Sequence, residues 1–87
     1  IHYQAIIKKH PYKVITGTFK TKKNALKQKR RLEKKGFNAF IWISYSKKKT
    51  KFYKVQSGAF ATKKEAKKYQ KKISLKGFQS YIIHKNK

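Results

Sequence analysis

Apolar and polar residues alternate along "YKVITGTF" (12–19) and again along "YKVQSGAF" (53–60), with β-branched or aromatic side chains at many positions. Each stretch therefore predicts a strand. Thr21 and Thr62 follow as N-cap hydroxyls and open helices over about residues 22–35 and 63–76. Glu65, three residues after Thr62, fits a capping box; Asn24 holds that place in the first helix. Both helices end in Lys-Gly-Phe, with Gly36 and Gly77 suited to the left-handed position and Phe37 and Phe78 folding back on the last turn. The apolar stripes are thin: Ala66, Tyr69 and Ile73 in one helix, Ala25, Gln28 and Leu32 (helped by Leu26) in the other. "NAFIWIS" and "QSYIIHK" predict one further strand after each helix.

The two halves repeat one another at a constant offset of 41 residues, Tyr12 matching Tyr53, Gly17 Gly58, Phe19 Phe60 and Ala25 Ala66. Repeat 1 covers about 12–44 and repeat 2 about 53–85, with "YSKKKTK" as the hairpin loop between them. Two units are too few for a solenoid, so they predict one domain of two halves. The order is βαββαβ: an α+β, split-βαβ (ferredoxin/RNP-like) sandwich, with a four-stranded antiparallel sheet and two helices on one face. Residues 1–11 stand outside the repeats, as a linker or an extra edge strand ahead of a domain over 12–87.

Alternation assigns the faces. Val14, Thr16, Ala39, Ile41, Ile43, Tyr53, Val55, Ser57, Ser80 and Ile82 are expected to point at the helices. Lys13, Ile15, Phe40, Trp42, Phe52, Lys54, Gln56, Tyr81 and Ile83 are expected to point the other way. The face that no helix covers thus carries aromatics, an amide and lysines, and an exposed patch of that kind marks a binding surface.

Charge narrows the partner. The 87 residues hold 26 Lys plus Arg against two acids, a net +24 that attracts any polyanion. Cysteine is absent, which excludes disulfide scaffolds and thiolate metal sites. Apolar runs such as "AFIWI" are too short to span a bilayer. No Met and no signal-peptide pattern open the chain, as expected of a piece of something longer.

The run "YKVQSGAF-ATKKEA", with "LKGFQSYII" after the helix, resembles the SPOR domain, the sporulation-related repeat of bacterial cell-wall proteins. The resemblance covers residues 12 to about 85 and occurs in both halves. It implies the βαββαβ sandwich with one open sheet face. It implies a module that binds peptidoglycan glycan strands, preferentially those denuded of stem peptides. It also implies a location outside the cytoplasm, at the bacterial cell wall or septum, as the targeting tail of an amidase (an N-acetylmuramoyl-L-alanine amidase or a phage endolysin). The family's first-strand Gln is replaced here by Ile15, and Gln56 in the second copy is the matching residue.

The candidate glycan-binding residues are Lys13, Ile15, Phe40, Trp42, Phe52, Lys54, Gln56 and Tyr81. Trp42 would stack on a sugar ring and offer its indole N–H to a hydroxyl; a strand slipped by one residue would bury it instead. Phe40 and Tyr81 are equivalent in the two copies. Gln56 could pair with sugar hydroxyls or an acetamido group, or simply be solvated. Lys13 and Lys54, also equivalent, could meet the muramic acid carboxylate or merely keep the sheet soluble.

Catalysis is not expected, nor a cofactor or metal. Glycoside hydrolysis needs two facing carboxylates, and the two acids are Glu33 on a Lys-rich helix and Glu65 at a cap. His2, His10 and His84 lie near the chain ends without metal-site spacing. Two rival readings stand beside glycan binding. The same element order is that of RNA-recognition domains, although "KFYKVQSGAF" lacks their aromatic signature. The lysines alone could hold teichoic acid or an anionic membrane. Edge strands such as "QSYIIHK" leave pairing between chains open.

Overall fold

A computed structural model describes residues 11–84, with β1 (Tyr12–Phe19), α1 (Lys22–Lys34), β2 (Phe40–Tyr45), β3 (Lys51–Phe60), α2 (Lys63–Ser74) and β4 (Tyr81–His84). The strands form one antiparallel sheet in the order β2-β3-β1-β4. The expected linker or extra strand over residues 1–11 lies outside the described residues apart from Pro11.

Each helix starts and stops as its sequence dictates. Thr21 Oγ1 accepts from Asn24 N–H at 3.3 Å, and Thr62 Oγ1 from Glu65 N–H at 3.2 Å. The Glu65 carboxylate takes the Thr62 hydroxyl at 3.2 Å, so the expected capping box is realised through the side chain. At the other end Gly36 and Gly77 adopt φ of +88° and +92°, where a side chain would be strained. Phe37 N–H then reaches the Leu32 carbonyl and Phe78 N–H the Ile73 carbonyl, the Schellman closure. That closing turn ends the helices one and two residues short of the predicted Lys35 and Lys76.

Both helices bury their stripe on one sheet face. Val14, Val55, Ala25, Leu32, Ala66, Ile73, Phe37 and Phe78 form the core, and Tyr12, Phe19, Ile41, Tyr53, Phe60, Tyr69 and Ile82 pack around it. Ile43 departs from the expected face pattern in effect. It is 46% exposed on the edge strand β2, although Tyr53 opposite it in the ladder packs on the core.

The ladder between β1 and β3 is irregular at its centre. Between the pairs Val14–Gly58 and Gly17–Val55 only Ile15–Gln56 is in register, so Thr16 and Ser57 drop out. Both are buried and anchored: Thr16 Oγ1 donates to the Val55 carbonyl at 3.2 Å, and Ser57 Oγ to the Asn38 carbonyl at 2.8 Å. The helices seal the same points. Gln28 Nε2 donates to the Thr16 carbonyl, and its counterpart Tyr69 donates through its hydroxyl to the Ser57 carbonyl, each at 3.4 Å.

A bulge reverses the phase of alternation. Phe19 and Phe60 lie five residues beyond Val14 and Val55, yet all four face the helices. Gly17 and Gly58 leave room for those rings, since an added Cβ would come within 2.6 Å of Phe19 and 2.9 Å of Phe60. The pair Ile15–Gln56 maps onto itself under the 41-residue offset and therefore marks a pseudo-two-fold axis.

Candidate functional site

The sheet face opposite the helices is assembled from all four strands around this axis. Ile15 lies at the centre, flanked in register by Gln56 on β3 and Tyr81 on β4; Phe40 stands beyond Gln56 on β2. Ile15 is 0% exposed yet stands outside the helix-side core, which makes it the floor of this face. Phe40 and Tyr81, equivalent in the repeat, are 47% and 42% exposed at the two flanks.

On the β2 side Trp42 leads a linked group. Its ring faces away from Ile41, which packs on the core, so the predicted register stands and the slipped alternative does not. Its indole N–H donates to Gln56 Oε1 at 3.0 Å, while Gln56 Nε2 donates to the Gly58 carbonyl at 3.2 Å. The ammonium of Lys13 sits 4.7 Å from the centre of the Trp42 ring. Gln56 and Lys13 are only 3% and 4% exposed. The indole N–H and the Gln56 amide, expected to be offered outward, are thus paired with the protein, and what this side presents is a half-buried aromatic plane locked in orientation. Phe52, next in line on β3 opposite Ser44, is half-buried as well.

Toward β4 the chemistry is different. Lys54 Nζ donates to Tyr81 Oη at 3.0 Å and to Thr18 Oγ1 at 3.3 Å, and the two hydroxyls lie 2.7 Å apart. Thr18 pairs with Lys54 in the β1–β3 ladder. Sequence reasoning missed Thr18, because strict alternation from Val14 places it among the helices. Gly17 inside a strand pattern was the available signal of the bulge that turns it outward.

Other features stand apart from this face. Glu33 is bound to Lys29 at 2.9 Å on α1, and Glu65 to Thr62 at the start of α2. A depression of about 590 Å³ lies beside α2, lined by lysines 67 and 71 and polar groups, with Phe78 as its one aromatic. Among the described residues no helix is long and apolar enough to cross a membrane.

The family model of the SPOR domain matches residues 8–84. The solution structure of the peptidoglycan binding domain of the B. subtilis cell wall lytic enzyme CwlC is similar in fold and sequence. It aligns with a TM-score of 0.68 and 35% identity over 85% of this chain and 87% of that one. No match is found among the curated proteins. On the match over residues 8–84 and this structural likeness, the chain belongs to the SPOR domain family.

Proposed function

We propose that this domain is a non-catalytic cell-wall module that holds peptidoglycan glycan strands on its open sheet face. The observation that carries the reading is that face itself: the Trp42 plane, fixed by Gln56 and Lys13, beside a projecting cluster of hydrogen-bond donors at Lys54, Thr18 and Tyr81. Sugars are bound by that combination, an aromatic plane for the C–H face of the ring and donors for its oxygens. Kinship with the binding domain of a wall lytic enzyme supports the same reading. The module then serves to hold an attached hydrolase, an amidase in this reading, at the wall or septum. Strands stripped of stem peptides are the preferred ligand, since side peptides would obstruct a ring lying flat on the sheet.

The helical layer contributes in another way. Seven basic residues on α1 and six on α2 make the back of the domain cationic, and anionic wall polymers would concentrate it without choosing a sugar. Nucleic acid could exploit the same charge, and one experiment separates these partners. The domain is sedimented with purified sacculi before and after amidase treatment, and with DNA, at low salt and at about 0.5 M NaCl. Sheet-face binding rises after amidase treatment and largely survives the salt. Binding that disappears in salt and is equal on DNA would overturn the proposal.

A further inference from the structure

We propose that Lys54, Thr18 and Tyr81 form a carboxylate subsite, present once per domain and to one side of the pseudo-two-fold axis, which takes the acid group of a bound wall sugar. The inference rests on the glycan reading above and adds the chemical group recognised.

The free donors of this cluster decide what it can bind. An ammonium carries three protons, and a hydroxyl carries one. Within the triangle, Lys54 gives one proton to each hydroxyl oxygen, and one hydroxyl gives its proton to the other. One ammonium N–H and one O–H remain, carried by groups 3.3 Å apart or closer. An ionised carboxylate is the complement: two adjacent oxygens that only accept. Neither protein acid competes, because Glu33 and Glu65 are engaged on the helices. A sugar acid supplies the group when its carboxyl is free. The same carboxyl capped as an amide has lost its charge and an acceptor oxygen.

The copy on the other side of the axis cannot do this. Lys13 matches Lys54, but the positions of Tyr81 and Thr18 are filled there by Phe40 and Ala59, which carry no hydroxyl. Lys13 lies over Trp42, whereas the residue at the matching position beside Lys54's own half is Ile83. One anion site on a pseudo-symmetric face gives that face a direction. A glycan strand also has a direction, so a single carboxylate contact would fix which way it lies.

The test uses amidase-treated glycan strands and the same strands with their carboxyls converted to methylamides, at about 0.15 M salt. The unaltered domain should hold the carboxylate strands about tenfold more tightly. Lys54→Gln should bring that ratio close to one, and Thr18→Val should reduce it. Thr18→Val also keeps the test intact should Lys54→Gln unfold the domain. Lys47→Gln, in the hairpin loop, removes the same charge and should leave the ratio unchanged. The subsite is overturned if Lys54→Gln keeps the full ratio, or if Lys47→Gln lowers it equally, which would make the effect one of bulk charge. Equal binding of both strands refutes the subsite and spares glycan binding; failure to bind either refutes both.

Discussion

The two repeats agree at most positions that face the helices, Gln28 against Tyr69 excepted, and differ at most of those that face away. Val14 and Val55, Ala25 and Ala66, Phe37 and Phe78, and Phe19 and Phe60 are equivalent pairs of the core or its margin. Leu32 answers Ile73, and the bulge residue Thr16 answers Ser57. On the open face Ile15 stands against Gln56, Thr18 against Ala59, Phe40 against Tyr81 and Trp42 against Ile83. A two-fold scaffold needs the same packing solution twice. A binding face for an asymmetric ligand does not, and here symmetry is lost where ligand chemistry would act. Lys13 and Lys54 keep their identity across the axis, yet Lys13 lies over the Trp42 ring, whereas Lys54 lies over the Tyr81 ring and donates to the hydroxyls of Tyr81 and Thr18.

If this division is right, matched substitutions on the helix side should cost the same in either half. Leu32 and Ile73 are both 0% exposed. Truncating either to Ala removes transfer energy and leaves a cavity, about 2–5 kcal/mol. In a domain of this size that lowers the melting temperature by roughly 10–30 °C, much of its margin. Calorimetry on both variants should give losses within about 1 kcal/mol of each other. A large loss in one and a small loss in the other would show that the halves share a shape but not the energetic load.

Matched substitutions on the open face should behave in the opposite way. Trp42→Ala removes the stacking plane and should weaken binding to amidase-treated glycan strands about tenfold, while the melt stays cooperative. Ile83→Ala, at the equivalent position, should leave affinity nearly unchanged. Equal losses would mean that the ligand covers the face symmetrically. Collapse of the Trp42→Ala fold would mean that the indole bond to Gln56 is mainly structural.

Most of this division could be read from the chain before its structure. The repeat, the caps at Thr21 and Thr62, the left-handed glycines and the α+β order all rest on local chemistry that leaves a mark in sequence. The outward register of Trp42 rests on Ile41 alone, since Ile43 is largely exposed and Ile41 packs on the core. What escaped were features made between strands. The central bulge depends on how β1 and β3 pair, so the outward turn of Thr18 and the inward turn of Phe19 and Phe60 contradict simple alternation. The bond from Trp42 to Gln56 is likewise invisible in a list of side chains, although it decides that the amide orients the ring.

The smallest expected effect concerns the helix starts, a second place on the helix side, besides Gln28 and Tyr69, where the halves differ. Thr21 and Thr62 accept from the residue three ahead with nearly the same geometry, at 3.3 and 3.2 Å. α2 has an acid in its first turn, Glu65, and α1 has none. A carboxylate there meets the positive end of the helix dipole, and in α1 it would also lie among Lys22, Lys23 and Lys27. Asn24→Glu should therefore stabilise the domain by about 0.5 kcal/mol, a rise of roughly 2–4 °C in melting temperature. Glu65→Gln should cost about as much while leaving an oxygen for the Thr62 hydroxyl, so that only charge is removed. Because the charge is exposed, both shifts should shrink in about 0.5 M NaCl. If Glu65→Gln is neutral at every salt concentration, the contribution of Glu65 is its hydrogen bond to Thr62. Importing an acid into α1 would then bring the two halves no closer in stability.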